Sequence, residues 1–395
     1  MEKQTIQFKP SQRIDGFKPY FFTMLGQRIT ELKGQGVDII RLDMGSPDLP
    51  PADFIIDALH QSAKRPDTHG YMPYAGTVRF RTAVSDYYRT RFGVELDPIK
   101  EVLTLIGSKE GLFNLSQVML DAGDIALISD PGYPVYFSGA EIAGAEIFSM
   151  PLVAENDFLP DLKSIPDEIL KRAKLLWINY PNNPTGTIAP DSFYLELIEF
   201  AHRHKILIAH DAPYSDVCFD GYIAPSIMQY PGAKEVAVEF NSLSKTYNMA
   251  GWRIGMVVGN PQIIQFLSVY KSQVDTSQFQ AIMEAGAVAL TGDQTWLKGR
   301  NDIYQHRRDL VVETFTRLRF EVTIPKAAIY VWVKLPDGTN STDFCTRLLT
   351  ETGVSLTPGI VYGQYGEGYI RISLATPADK IQTALKRFSE WMAVQ

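Results

Sequence analysis

Short apolar runs alternate with helical patterns from about residue 100 onward, and this alternation constrains the fold more than any other feature of the sequence. It is the signature of βα units, in which helices cover both faces of a parallel sheet. The predicted strands are 101–106, 125–129, 145–150, 174–179, 205–210, 235–240 and 254–259. Several are apolar almost throughout, as expected for strands buried on both faces. We therefore predict an α/β fold with a mostly parallel seven-stranded sheet.

The pattern changes after about residue 290. The elements predicted there are a long charged helix over 295–317, strands near 329–335, 354–357 and 369–374, and a terminal helix over 377–393. They predict a smaller α+β domain over 291–395, beside a large domain over 46–290. Residues 1–45 are too few for a core of their own. We expect them to pack on the small domain or on a partner subunit.

Charge and cysteine content narrow the class of function. The formal net charge is -7, so the attraction that draws a protein to nucleic acid or to an anionic membrane is missing. Two cysteines, Cys218 and Cys345, are too few for a disulfide framework or a cysteine metal site. The first 17 residues lack the apolar core of a signal peptide, and no apolar run approaches the roughly 20 residues of a membrane span. We expect a cytoplasmic enzyme with small-molecule substrates and no metal.

Polar, turn-forming residues follow five of the predicted strands. In open α/β sheets, ligands bind at the carboxyl ends of the strands. The five groups are 107–109, 130–133, 182–186, 211–214 and 242–245. Taken singly, each also fits a turn or a helix cap, because Ser, Asn, Asp, Gly and Pro favour both. Only their combination favours a binding site.

The five polar groups together suit pyridoxal 5'-phosphate as a ligand. It requires an amine for a covalent bond, an acid beside its ring nitrogen, donors to its ring hydroxyl oxygen and an anion site for its phosphate. Lys245 would form the covalent bond, and Asp211 would keep the ring nitrogen protonated. Asn183 and Tyr214 would donate hydrogen bonds to the ring hydroxyl oxygen.

The phosphate and the ring face have candidates as well. Backbone N–H groups at Gly107, Ser108 and Lys109 open a predicted helix, whose dipole favours an anion. The side chains predicted to complete the cofactor site are Ser108, Ser242, Ser244 and Arg253 around the phosphate and Tyr133 on the ring face.

The segments SLSKTYNMAGWRIG (242–255), YPNNPTG (180–186) and DAPY (211–214) resemble, in order and spacing, the fold-type I pyridoxal-phosphate aminotransferases of class I/II. The resemblance runs over nearly the whole chain and implies a homodimer with active sites at the interface. The catalytic residues that follow from it are Lys245, Asp211 and Tyr214.

Three further segments extend the resemblance. YMPYAGTVRFRTAV (71–84) is similar to the segment whose first tyrosine, Tyr71, reaches the phosphate bound by the neighbouring subunit. MGSPDL (44–49) resembles the substrate-side glycine loop and makes Gly45 a candidate. YIRISLA (369–375) resembles the motif whose arginine, Arg371, binds the substrate α-carboxylate together with Asn183. A guanidinium suits a planar carboxylate better than an ammonium does.

Within the family, KSQVDTSQFQAIMEA (271–285) resembles the LL-diaminopimelate aminotransferase-like group, as do DPGYPVY (130–136) and GEGYIRISL (366–374). This implies transfer of an amino group between an amino acid and a 2-oxo acid in lysine biosynthesis. The second substrate pair would be 2-oxoglutarate and glutamate. The sequence departs from the group at Gln273 and at Thr276-Ser277.

Alternatives therefore stay open. One is a broad-specificity aminotransferase for alanine, aspartate or glutamate. Others are a lyase or synthase reaction of the same cofactor, and a non-catalytic regulator, for which the chain lacks an evident DNA-binding domain. The alternating aromatic residues of 326–332 fit either a core strand or a wall of the substrate pocket.

Overall fold

A computed structural model describes residues 8–17 and 19–394 of the chain. Its strands are β1 (Ile40–Arg41), β2 (Val102–Leu105), β3 (Ile125–Asp130), β4 (Glu146–Pro151), β5 (Ala173–Ile178), β6 (Leu207–Asp211), β7 (Ala237–Ser242), β8 (Gly255–Gly259), β9 (Tyr330–Lys334), β10 (Val354–Ser355), β11 (Thr357–Pro358) and β12 (Tyr369–Ser373). Its helices are α1 (Gln12–Asp15), α2 (Phe21–Gly34), α3 (Asp53–Ala63), α4 (Val78–Phe92), α5 (Ser108–Met119), α6 (Pro134–Ala143), α7 (Asp167–Leu170), α8 (Asp191–His204), α9 (Ala233–Val236), α10 (Leu243–Thr246), α11 (Pro261–Lys271), α12 (Gln280–Thr291), α13 (Trp296–Arg317), α14 (Ser341–Thr352) and α15 (Ala378–Met392).

The seven predicted strands form one sheet in the order β2-β8-β7-β6-β5-β3-β4. All neighbours run parallel except β8, which is antiparallel to both β2 and β7. Every residue of β3, β6 and β7 is buried. The mostly parallel α/β sheet is thus confirmed, and its apolar strands are those covered on both faces.

Two apolar cores sandwich this sheet, one on each face. Ile208 of β6 and Val258 of β8 belong to one core, whereas their neighbours Ala209 and Val257 belong to the other. Successive side chains of a strand point to opposite faces, so each strand contributes to both cores. Helices on the two faces cover the cores and leave the carboxyl ends of the strands open.

The chain after residue 290 builds a separate core. Strands β11, β12 and β9 form an antiparallel sheet, and α13 and α15 match the helices predicted over 295–317 and 377–393. The short strand β1 pairs in parallel with β10, and Leu42 shares a core with Ile370. The smaller α+β unit is confirmed, whereas the exact boundaries at residues 45 and 290 stay predictions. Residues 1–7 of the predicted N-terminal segment lie outside the described residues.

Within the described ranges, no helix is both long enough and apolar enough to cross a bilayer. The large sheet and the C-terminal sheet meet where β5, β6 and β7 end. This junction holds most of the residues that the sequence singled out.

Candidate active site

A cavity of about 360 Å³ opens at the carboxyl ends of β5, β6 and β7. Both sheets and the segment before α3 contribute to its wall. Its lining residues are Tyr20, Phe22, Met44, Gly45, Ser46, Ser108, Lys109, Tyr133, Asn179, Asn183, Asp211, Pro213, Tyr214, Ser242, Ser244, Lys245, Ala250, Arg253, Tyr330, Tyr362 and Arg371. Most of the predicted site residues therefore converge on one cavity.

Lys245 lies on the short helix α10, directly after β7. The Ser242 hydroxyl caps this helix by accepting a hydrogen bond from the Ser244 backbone N–H at 3.2 Å. The Lys245 ammonium donates to the backbone carbonyl of Gly45. Burial lowers the pKa of Lys245, and the charges of Arg371 and Arg253 lower it further against the opposing effects of Tyr330 and Asp211. A larger neutral fraction makes this amine a better nucleophile and base.

Asp211 is the last residue of β6 and is buried. Its Oδ2 accepts a hydrogen bond from the Tyr136 hydroxyl at 2.7 Å, whereas its buried Oδ1 has no hydrogen-bond partner among the residues described. Burial raises the pKa of Asp211 to about 6, and the Tyr136 hydrogen bond and the charges of His210 and Lys245 oppose this rise. A buried carboxylate oxygen without a donor is costly. A ligand N–H would satisfy it.

Asparagine side chains connect the ends of two strands. Asn179, just after β5, donates from Nδ2 to the backbone carbonyl of Asp211 at 2.6 Å. Its Oδ1 accepts the backbone N–H of Asn183 at 2.7 Å. The loop that carries Asn183 is thereby fixed relative to Asp211.

The N-terminal end of α5 forms an anion cradle. Gly107, which precedes the helix, has φ 71° and lies against the Arg253 guanidinium so closely that a side chain at this position would collide with it. Ser108, Ser244 and Arg253 line the cavity at this end. Unpaired helix N–H groups, hydroxyls and a guanidinium together suit a phosphate.

Arg371 lies in the middle of β12 and is buried. Its guanidinium donates to the Asp43 backbone carbonyl at 2.7 Å and to Asn183 Oδ1 at 2.8 Å, and its buried Nε has no partner among the described side chains and backbone. The Asp43 carboxylate itself pairs with Arg41 at 2.6 Å. No carboxylate of the described residues forms an ion pair with Arg371, so the guanidinium is free to bind an anionic ligand.

A pair of tyrosines, Tyr214 and Tyr330, lines the cavity beside Arg371. The Tyr214 hydroxyl donates to the Tyr330 hydroxyl at 3.1 Å, and the Arg371 guanidinium lies 4.0 Å from the centre of the Tyr330 ring. A side chain at Gly45 would collide with the Tyr330 hydroxyl. Burial raises the pKa of Tyr330, but the charges of Arg371 and Lys245 outweigh this effect and lower it.

Two predicted residues lie apart from the cavity lining. Tyr71 is 91% exposed and does not line the cavity of its own chain, so its predicted action on a neighbouring subunit stays a prediction. Gly107 lies behind Arg253 rather than in the lining.

Other residues were missed by the sequence reasoning. Tyr20 lies beneath the Lys109 ammonium at 4.5 Å, and Tyr136 bonds Asp211. Tyr362 lies 4.9 Å from Arg371. Tyr20 and Tyr362 follow no strand of the large sheet, so the rule that selected the other candidates could not find them. Tyr330 lines the cavity, as one of the two interpretations of 326–332 predicts.

This cavity of a fold-type I enzyme contains an amine, a carboxylate oxygen without a donor among the described residues, an anion-binding helix end and an arginine without an ion pair there. Such a cavity is typical of enzymes that transfer groups. The chain belongs to the aminotransferase class I and II family, whose model matches residues 37–388. It is therefore an aminotransferase.

The chain is similar over nearly its whole length to proteins of this family. The chain is 48% identical over 377 residues to the LL-diaminopimelate aminotransferase of Halothermothrix orenii, covering 95% of this chain and 97% of the relative. Apo-BacF from Bacillus subtilis superposes with a TM-score of 0.94 at 35% identity, covering 98% of each chain. A probable N-succinyldiaminopimelate aminotransferase from Thermus thermophilus has a TM-score of 0.88 at 36% identity, covering 93% of this chain and 99% of that one.

Proposed function

We propose that this aminotransferase binds pyridoxal 5'-phosphate in the 360 Å³ cavity and transfers an amino group between an amino acid and a 2-oxo acid. One observation carries the proposal: Lys245, Asp211 and Arg371 line the same cavity. Among the described residues, Asp211 Oδ1 has no hydrogen-bond partner and the Arg371 guanidinium has no ion-pair partner. These are the groups that a pyridine aldehyde and an amino acid need together.

The residues fit the cofactor group by group. Asp211 Oδ1 is a buried acceptor that no donor of the described residues reaches, and a protonated ring nitrogen would supply one. The bound cofactor would supply an electron sink for negative charge that develops at the substrate α-carbon. The residues proposed to hold it are Lys245 by a covalent bond, Asp211 at the ring nitrogen, Asn183 and Tyr214 at the ring hydroxyl oxygen, Tyr133 on the ring face, and Gly107, Ser108, Lys109, Ser242, Ser244 and Arg253 at the phosphate.

The chain's own side chains would orient the substrate and move its proton. Arg371 would bind the α-carboxylate, because its guanidinium is held in place by the Asp43 carbonyl and Asn183 and still lacks an anion. Lys245 Nζ would take the proton from the substrate α-carbon, a role that suits its lowered pKa. Gly45 would let the Tyr330 hydroxyl lie close to the loop on the substrate side of the cavity, since a side chain at residue 45 would collide with that hydroxyl.

For the substrate we propose LL-diaminopimelate, with 2-oxoglutarate or glutamate as the other partner, in cytoplasmic lysine biosynthesis. The 48% identity to a protein of that name over nearly the full length supports this choice.

A donor panel tests the substrate. The purified enzyme is offered LL-diaminopimelate, alanine, aspartate and glutamate, each with an acceptor 2-oxo acid, and product formation is followed. We expect the highest kcat/KM with LL-diaminopimelate. Good activity with alanine or aspartate and none with LL-diaminopimelate would favour the broad-specificity alternative instead.

We also propose a homodimer in which Tyr71 contributes to the neighbouring site. Its 91% exposure leaves the Tyr71 side chain accessible to a neighbouring subunit, which supports the proposal. Tyr71→Phe should weaken cofactor binding without changing the oligomeric state measured by sedimentation. A monomeric wild-type enzyme with full activity would contradict the proposal.

A further inference from the structure

A fully buried charged cluster lies directly behind the site. His210 precedes Asp211 on β6, and Glu239 lies beside His210 on β7 in the register of the parallel pair. Both side chains have no exposed surface. Because successive residues of a strand point to opposite faces, His210 faces away from the cavity that Asp211 lines. The aminotransfer chemistry described above does not use this pair.

The hydrogen bonds around Glu239 favour its ionised form. Its carboxylate accepts the Tyr88 hydroxyl at 2.7 Å, the Ser226 hydroxyl at 2.9 Å and the Ile227 backbone N–H at 2.9 Å. Donors that point at a carboxylate stabilise its negative charge. A buried negative charge requires a cation nearby. His210, whose Nδ1 lies 3.0 Å from Glu239 Oε2, can supply it.

The second ring nitrogen of His210 leads to the same conclusion. Nε2 lies 2.9 Å from the backbone carbonyl of Tyr180, which can only accept a hydrogen bond. Nδ1 faces a carboxylate, which also accepts. An imidazole donates from both nitrogens only when it is doubly protonated. The pair is then an imidazolium and a carboxylate. It also anchors Tyr180, which lies in the loop that carries Asn183.

We infer that His210 is a permanently protonated positioning residue whose charge, one peptide unit away from Asp211, keeps the Asp211 carboxyl ionised for the ring nitrogen of the cofactor. Burial raises the pKa of Asp211, and the positive charge of His210 acts against that rise, together with the Tyr136 hydrogen bond and the charge of Lys245. The carboxylate that the cofactor needs is thus supported from the opposite face of the sheet. The inference rests on the proposed cofactor site.

The protonation state is measurable without any cofactor. The full-length apo enzyme, labelled with ¹⁵N at its six histidines, is followed by imidazole NMR from pH 6 to pH 9. Titratable groups that face His210 are Glu239, Tyr88 and Tyr194, with Asp211 beside it. Burial raises the pKa of Tyr88 and of Tyr194 well above the ordinary value, so neither tyrosine ionises in this range. We expect one histidine with two N–H nitrogens throughout. A pyridine-type nitrogen on every histidine at pH 8 would overturn the inference.

A double-mutant cycle tests the action through Asp211. Dissociation constants for pyridoxal 5'-phosphate are measured for the wild type, His210→Gln, Asp211→Asn and the double variant, with circular dichroism as the check of folding. We expect His210→Gln to weaken cofactor binding about tenfold, because a change of one pKa unit at Asp211 corresponds to a factor of ten. In the Asp211→Asn background we expect His210→Gln to weaken cofactor binding less than about twofold. Equal losses in both backgrounds would mean a purely structural role and would overturn the inference.

The matched control is Tyr194→Phe, which changes a ring 5.7 Å from His210 without removing a charge. We expect cofactor affinity within about twofold of the wild type. If His210→Gln does not fold, the NMR measurement on the wild type still decides the charge. A wild-type enzyme that binds no pyridoxal 5'-phosphate would contradict the proposed function, while a doubly protonated His210 would still stand.

Discussion

The two halves of the cavity are built in different ways. Asp211, Ser242 and Lys245 lie at or just after the ends of parallel strands, whereas Arg371 and Tyr330 lie within the antiparallel strands β12 and β9. The first half holds a carboxylate oxygen without a donor among the described residues, and the second surrounds a guanidinium with aromatic rings, one backbone carbonyl and an amide oxygen. The first half suits a resident cofactor, and the second suits a ligand that enters and leaves. Variants in the first half should therefore change cofactor attachment or affinity, whereas variants in the second half should change kinetic constants for the amino acid.

The largest effect is expected for Lys245→Ala in the first half. Loss of both the covalent bond and the proton carrier should lower kcat by at least about 10⁴-fold. Borohydride reduction followed by mass spectrometry should find the cofactor attached to Lys245 in the wild type and to no residue in the variant. Lys109→Ala is the control and should keep the attachment. Attachment at another lysine in the wild type would reject the assignment.

Asp211→Asn should stabilise the apo enzyme above pH 6. The pKa of Asp211 is about 6 in the folded chain, above the roughly 3.9 of an unfolded one. Its contribution to stability is therefore complete below about pH 4 and is lost as pH rises through 6. The difference of about two pKa units corresponds to about 3 kcal/mol. Urea unfolding at pH 4.5 and pH 8 measures the free energy of unfolding of the variant and the wild type. Equal free energies of unfolding at pH 8 would contradict the expectation.

Arg371→Lys in the second half should lower kcat/KM for the amino acid about 100-fold. A lysine cannot reproduce the bidentate contact, and hydrogen bonds to charged groups contribute about 1.5 to 3 kcal/mol each. Cofactor affinity should stay within about twofold, since the change lies outside the proposed cofactor contacts.

Arg253→Lys is the matched variant of the first half. It should weaken cofactor binding and change kcat/KM for the amino acid less than Arg371→Lys does. If both variants changed the same constant, the division of the cavity into two halves would be wrong.

The smallest effect is expected for Tyr330→Phe. It removes the hydroxyl that accepts from Tyr214 at 3.1 Å and keeps the ring on Arg371. Loss of one hydrogen bond of about 0.5 to 1.5 kcal/mol should lower kcat roughly threefold to tenfold. Tyr362→Phe, whose ring also faces Arg371, should change kcat less, as steady-state kinetics would show. A larger loss for Tyr362→Phe would assign the important hydroxyl to Tyr362.

The parts of the molecule that follow local rules were predictable. The seven strands of the large sheet were found from apolar runs, because strands buried on both faces need such runs. Asp211, Ser242 and Lys245 were found because the carboxyl ends of parallel strands meet at one edge. Arg371 and Gly45 were reached only through resemblance to a family. Their place beside Lys245 depends on how the C-terminal sheet packs.

The sequence by itself determined the sheet, the family and the polar residues at its strand ends, since these depend on short-range periodicity and turn chemistry. Only the tertiary structure brought Tyr136 to Asp211, Tyr20 to Lys109 and Tyr330 to Arg371. It alone placed His210 between Glu239 and Tyr180. These contacts join residues far apart in the chain, and no local pattern specifies which distant group a side chain will meet. Packing decides that, because buried polar atoms must find partners wherever the folded chain supplies them.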